Sequence, residues 1–479
     1  MRAFSIEPAA AIAGPVPNAA EKRTRMMLEA PVLPTLCRLA LPNMVMMSSQ
    51  AIANFLESYF VGLLGVAELA GVALVYPLIM LMQMLSAGAI GGGISSAVSR
   101  AVGAGRRDEA EAVALHAVVI ALVAGIASTV LLWVAGPALY GAMGGSGAGL
   151  DAALAYSNVV FGGMLFLWLL NALASVLRGT GNMALPAGVV TAGVPILLIV
   201  SPVLIFGFGP LPALGIRGAA FALVVYYVAG CAVLLVALRR GRAGVRLTGA
   251  HRLRADVFRT ILGVGGPAAV NSAMTNIAVA IATAFVGGLG VNVLAGFGLG
   301  IRLEYLLIPV VFGVGAAMIP MIGMNMGAGN LRRAREIAWT GALAAATITG
   351  TIGLAAALFA RAWIGLFTHD AAAIAGGAAY LQIAAPAYAL IGLGLAFSFA
   401  SQGARRMRWS VIASVGRGVV IAAVATLGMR LGGSGVMVVA IAMIAALVVY
   451  AICNTMPWLS ASEWKSTGRG LGAGRADAA

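Results

Sequence analysis

Glu57 and Glu304 are the two carboxyl groups of this chain that fall inside long apolar stretches. Gln50, Asn54 and Glu57 follow an i, i+4, i+7 spacing, which puts two amides and a carboxyl on one face of a helix, with Ser58 beside them. A polar stripe on an apolar helix has to face protein or water, and a carboxyl lined by amides can exchange a proton for another cation. The plainer reading is an interhelical hydrogen-bond seam with Glu57 permanently protonated. Arg302 stands two positions before Glu304, about 200° around a helix, so the two do not pair and each needs a partner on another span. Arg417 is one candidate for Glu304, either in a structural ion pair or as part of ion coupling. Cys37, Cys231 and Cys453 are widely spaced, as are His116, His251 and His369, and no metal site or cofactor motif is readable among them.

The elements that carry these residues follow from composition. A chain of 479 residues that is 61% hydrophobic and 9% charged, with a mean hydropathy of +1.01, is not a soluble globular protein. Apolar stretches long enough to cross a bilayer as helices recur near 36–62, 72–98, 112–135, 155–177, 184–207 and 218–238, then near 260–287, 294–322, 335–359, 380–401, 408–428 and 434–457. The expectation is an all-α integral membrane protein with about twelve transmembrane helices. The stretches are too long for barrel strands and lack alternation. The net charge of +15 invites a nucleic-acid reading, but its distribution argues otherwise. Of the 30 Lys and Arg, all but Arg217, Arg302, Arg361, Arg417 and Arg430 lie in the two tails or in every second connection. That is the positive-inside pattern, which predicts both termini in the cytoplasm and a bilayer, not nucleic acid, as the partner. The N-terminal stretch lacks the apolar core of a signal peptide, so the first span is expected to serve as an uncleaved signal.

The two halves repeat each other. Pro42, Phe60-Val61-Gly62, Gly65 and Leu69-Ala70-Gly71 recur in order as Pro267, Phe285-Val286-Gly287, Gly290 and Leu294-Ala295-Gly296. Further on, Gly103-Ala104-Gly105 matches Gly327-Ala328-Gly329, Tyr156 falls on Tyr380, Gly179 on Gly403 and Met183 on Met407. With six spans in each half, the second half re-enters from the same side, so the repeats are parallel. The expected organisation is a tail at 1–32, a first lobe at 33–238, a basic linker at 239–259, a second lobe at 260–457 and a tail at 458–479. Such two-copy bundles are most often transporters with the substrate path between the copies. The glycine-rich turns before Arg106-Arg107 and Arg332-Arg333 lack the strand and the Gly-Lys-Ser/Thr ending of a nucleotide loop, and no ATPase module is present. Uphill transport must then draw on an ion gradient.

The segments Phe55-Leu-Glu57-Ser-Tyr-Phe-Val-Gly62, Ala295-Gly-Phe-Gly-Leu-Gly-Ile-Arg302-Leu-Glu304, Pro320 to Asn330 and Arg178-Gly-Thr-Gly-Asn182 resemble the multidrug and toxic compound extrusion family over residues 33–455. The resemblance implies two six-helix lobes in a V around a central cavity, and cation-driven export of organic cations and other amphipathic compounds. Glu57 stands where many members of that family have an aspartate implicated in coupling. Sodium-coupled members also use a seventh-span glutamate and a tenth-span aspartate. Here Thr275, beside Asn276, takes the first of those positions, and 380–401 holds no acid. Those departures favour a proton over sodium. The Arg302-Leu303-Glu304 signature is similar to that of the DinF-like branch.

The reading of the sequence is a monomeric inner-membrane antiporter, not an enzyme, that exports small amphipathic or cationic organic molecules against protons. Gln50, Asn54, Glu57 and Glu304 are the candidate ion-coupling residues. Arg302, Thr275, Asn276 and Tyr305 are the candidate substrate contacts. The alternatives are a sodium-coupled exporter, a lipid-linked precursor flippase of the same superfamily, which would want a more cationic cavity, and an integral membrane enzyme, which would want a clustered constellation of catalytic groups.

Overall fold

The computed structural model describes residues 19–241, 244–248, 251–288, 291–432 and 435–459, with the backbone alone for 291–293 and Tyr305. Gly290, used above to set the repeat, lies outside these residues, as do 1–18 and 460–479 of the two tails. The elements are α1 (Ala19–Glu29), α2 (Val32–Gly62), α3 (Val66–Gln83), a π-helical segment (Met84–Ile90), α4 (Gly91–Gly103), α5 (Arg107–Ala142), α6 (Gly147–Gly162), α7 (Met164–Gly179), α8 (Ala184–Phe206) and α9 (Ile216–Arg239). The second half follows as α10 (Ala255–Gly287), α11 (Val291–Gly327), α12 (Leu331–Leu358), α13 (Ala360–Gly365), α14 (Ala371–Ala384), α15 (Tyr388–Gly403), α16 (Arg408–Arg430) and α17 (Gly435–Leu459).

Among the described residues ten helices, with α3–α4 and α14–α15 each counted as one, are long and apolar enough to cross a membrane. The pair α6–α7, bent by 46° at Gly163, makes an eleventh. A Cβ at Gly163 would come within 2.4 Å of a Val224 methyl of α9, so the break sits where a side chain of the neighbouring helix fills the space a larger residue would need. The first span, α2, has the length at 31 residues but stands outside that set, because Gln50, Asn54, Glu57 and three serines interrupt its apolar surface. The least apolar span carries the candidate site.

Two lobes form a V. One apolar core runs through α3 to α9, and a second through α10, α11 and α14 to α17. The first span of each half crosses to the other lobe. Thus α2 packs on α8 but also on α11 and α12, and α10 packs on α16 but also on the π-helical segment and α4. Near the end where α1 and α17 lie, the lobes meet through glycines that repeat one another. A Cβ at Gly103 would stand 2.0 Å from Met324 O, and one at Gly327 would stand 2.1 Å from Arg100 O. Small residues let the two second spans cross backbone to backbone, which is how helices associate tightly in a bilayer. Gly103→Ala and Gly327→Ala are each expected to destabilise the protein by about 1–3 kcal/mol through overpacking. The check is thermal melting in detergent beside Gly188→Ala, where a Cβ meets nothing within 4 Å and no loss is expected.

Residues 19–29, part of the stretch assigned above to a tail, form a helix that touches both lobes. Met27 is fully buried. Asn325 Nδ2 of α11 donates to Met27 O at 3.1 Å, Arg333 of α12 donates to Ala30 O, and Arg107 Nη2 of α5 donates to Glu21 Oε1 at 3.3 Å. The basic linker is tied to α5. Arg246 N donates to Glu111 Oε1 at 3.0 Å, and Arg254 N donates to His116 Nε2 at 2.8 Å. His116 Nδ1 lies 2.7 Å from Ala112 O, which fixes the tautomer with its proton on Nδ1 and leaves Nε2 to accept. His116 thus serves as a structural anchor.

Candidate functional site

Gln50, Asn54 and Glu57 share one face of α2, and that face looks into its own lobe. Ser201 Oγ of α8 donates to Glu57 Oε1 at 3.4 Å, a long bond, and Asn54 Nδ2 donates to Tyr76 Oη of α3 at 3.5 Å. Gln50 reaches the Tyr226 hydroxyl of α9. Tyr226 Oη in turn donates to Val190 O at 3.2 Å, on α8, whose Pro195 and Pro202 interrupt its backbone ladder. Tyr156 of α6 and Tyr227 of α9 are both buried and close enough for the Glu57 charge to act on them. Five helices of the first half therefore surround one carboxyl with hydroxyls and amides. Among the described residues no cation lies within ion-pair distance of Glu57. A carboxyl in that setting has hydroxyl dipoles to receive a proton or a small cation, and no fixed positive charge to compete with either.

Glu304 occupies a separate cluster in the other lobe. Tyr380 Oη of α14 donates to Glu304 Oε1 at 2.6 Å, and the Tyr380 ring packs edge-on against Phe297 at 4.8 Å. Tyr388 and Arg417 of α16 complete its surroundings, with Arg417 acting through its charge. Arg417 makes no ion pair within 4 Å of Glu304 among the described residues; its guanidinium lies over the Tyr450 ring at 5.9 Å. Nearby, Asn271 Nδ2 donates to Ser398 Oγ at 3.2 Å. Hydroxyl-bearing rings, those of Tyr380 and Tyr388, thus stand around Glu304.

The remaining candidates sit elsewhere. Arg302 is exposed, and no partner from another span is described for it. Thr275 Oγ1 donates back to Asn271 O at 2.9 Å, and Asn276 Nδ2 donates to Ser272 O at 2.9 Å, so both use their own helix backbone. Asn276 also faces Met84 Sδ at 4.0 Å across the lobes. The Tyr305 side chain lies outside the described residues. Sequence reasoning missed Tyr76, Ser201, Tyr226 and Tyr227. It used Tyr156 and Tyr380 only as markers of the repeat, yet that match was the available signal. One repeated tyrosine stands beside a carboxyl in each half, although the acid comes from the first span in one half and the second span in the other.

The MatE family model matches residues 42–203 and 267–427, leaving the basic linker between the two matched segments. The chain is 26% identical over 405 residues to a Shewanella oneidensis protein named FAD transporter, covering 82% of this chain and 87% of that one. It is 28% identical over 435 residues to a Deinococcus radiodurans protein named probable multidrug resistance protein NorM, covering 84% and 92%. Among solved structures, one titled crystal structure of MATE in the bent conformation superposes with a TM-score of 0.83 at 26% identity, over 94% of this chain and 99% of that one.

Proposed function

Because the chain belongs to the MatE family, and is accordingly a multi-pass membrane transporter and not an enzyme, we propose that it is an antiporter that exports small amphipathic organic compounds, cations among them, in exchange for protons. The observation that carries this reading is the Glu57 pocket, a single carboxyl among Asn54, Ser201 and tyrosine hydroxyls with no fixed cation described beside it. Protonated, Glu57 is neutral and releases a bound cationic group; deprotonated, it attracts the next one. Rocking of one lobe on the other would then expose the pocket alternately to the two sides. Thr275 in α10 and the absence of any acid from α14 and α15 support a proton over sodium, since a multi-carboxylate site is missing from those spans. The organisation into two lobes and a linker, a single chain as the working unit, a bacterial inner membrane and cytoplasmic termini belong to the same proposal, the last supported by the arginine distribution.

Inside-out membrane vesicles test both the ion and the orientation. Rhodamine should accumulate in the lumen when the lumen is made acidic, and an imposed sodium gradient at constant pH should give no more than background. Accumulation driven by sodium alone would overturn the proton reading. Rhodamine moving only in right-side-out vesicles would overturn the orientation. A second reading, export of an acidic organic compound, draws on the relative named FAD transporter.

A further inference from the structure

Met27 of α1 is held by both lobes at the end where their second spans cross. Its side chain is fully buried, and its sulfur reaches the first lobe at Gly181, in the turn between α7 and α8, where a Cβ would stand 2.4 Å from Met27 Sδ. With a φ of 79° the turn favours glycine at that position, and the missing side chain is what makes room for the thioether. The Met27 carbonyl belongs to the second lobe, since it accepts from Asn325 Nδ2 of α11 at 3.1 Å. Met27 accordingly shares one apolar cluster with Met183 of that turn and with Met321, Met324 and Ile337 of α11 and α12.

The rest of α1 divides in the same way. Toward the second lobe, Arg333 of α12 donates to Ala30 O. Toward the first, Arg107 of α5 pairs with Glu21 at 3.3 Å, with both side chains largely exposed. Ala20 lies against the linker that joins the lobes, since a Cβ at Gly244 would stand 2.7 Å from Ala20 Cβ. Two bonds to main-chain carbonyls thus fix α1 to the second lobe. An exposed ion pair contributes little, so the buried Met27 side chain is the main tie to the first. One turn along the seam from Gly103 and Gly327, Ser99 of α4 is fully buried against α11, where a Cβ at Gly323 would stand 2.1 Å from Ser99 Oγ. Access from this end needs those two spans to part, and α1 crosses the line along which they part.

We propose that α1 is a strap across the closed end of the molecule, which has to let go of the first lobe before that end opens, and whose grip sets how much of the time it stands open. A contact made in only one of two arrangements shifts the balance between them by the free energy of that contact. The contacts of α1 with the first lobe are of that kind, because its backbone is tied to the second lobe and the two sets persist together only while the lobes are closed. The strap goes beyond the export reading. It concerns which end is shut, whatever the substrate and the coupling ion.

The test is the rate at which a methanethiosulfonate reagent modifies a thiol placed on the seam, read on the full chain in nanodiscs, where both faces are open to the reagent. Cys37→Ser, Cys231→Ala and Cys453→Ser clear the background. Ser99→Cys, a nearly isosteric change, then reports parting of the lobes, and Ser157→Cys, buried in α6 within the first lobe, reports general loosening. A buried thiol reacts in proportion to the share of molecules in which it is uncovered. Met27→Ala should raise the Ser99→Cys rate about tenfold or more, as loss of a buried methionine side chain implies, and leave the Ser157→Cys rate unchanged. Should Met27→Ala not fold, Arg107→Gln replaces it, with an expected rise of about twofold from loss of the exposed pair with Glu21. An unchanged Ser99→Cys rate in a folded Met27→Ala or, in its place, in Arg107→Gln overturns the proposal, and so does an equal rise at Ser157→Cys. Rhodamine export in vesicles is read separately, and its failure counts against the export reading while leaving the strap standing.

Discussion

Glu57→Gln is expected to fold, melt as wild type does, and export nothing. The glutamine carbonyl can still accept from Ser201 Oγ, and that bond is long at 3.4 Å, so little is lost by weakening it. No ion pair is described for Glu57, and so the substitution strands no positive charge. The stability change should stay within about 1 kcal/mol, the worth of one ordinary hydrogen bond. What disappears is the group that alternates between neutral and charged, because an amide mimics the protonated state permanently. Gradient-driven rhodamine movement in vesicles should therefore drop to the level of vesicles lacking the protein, while Glu57→Asp, which keeps a carboxyl one methylene shorter, should retain part of it. Normal export by a well-folded Glu57→Gln would remove Glu57 from the coupling mechanism.

The sequence made the spans and the repeat readable because both are written in local terms. Each apolar stretch declares itself over some twenty residues, and the glycine and proline marks recur at fixed spacing. The polar face of α2 was legible for the same reason, since i, i+4, i+7 is a property of one helix. What faces that stripe was not. Ser201 stands 144 residues from Glu57, and Tyr380 stands 76 from Glu304. Nothing in a single sequence says which way two distant helices turn toward each other. Nor does the sequence show that Thr275 and Asn276, polar residues at a suggestive position, bond to their own helix backbone. From the sequence Arg178 reads as one of the positive-inside charges, in a segment shared with the family that the chain resembles. Its burial without an acid becomes visible only when α4, α7, α11 and α15 are seen to meet.

The second carboxyl should respond in the opposite sense. Glu304 accepts a short bond from Tyr380 Oη, lies among Tyr388 and Arg417, and is the acid inside the spans of its half. Glu304→Gln keeps the shape but removes the negative charge that offsets a buried guanidinium, and Arg417 has no other acid described near it. Removing one member of such a set destabilises by roughly 3–5 kcal/mol where the charges are in contact. With no contact within 4 Å here, about 2 kcal/mol is the expected loss. The diagnostic is the double substitution. If Glu304 serves mainly to neutralise Arg417, then Arg417→Gln alone should also destabilise, and Glu304→Gln with Arg417→Gln should recover a good part of the loss, a coupling between neighbours that a thermodynamic cycle measures directly. Denaturation of the three variants in detergent supplies that cycle, and rhodamine export is measured alongside. Simple addition of the two losses would show that the charges do not act on each other. A Glu304→Gln protein that is fully stable yet unable to export would move the coupling role from Glu57's lobe to this one, with the Tyr380 hydroxyl as the first group to test.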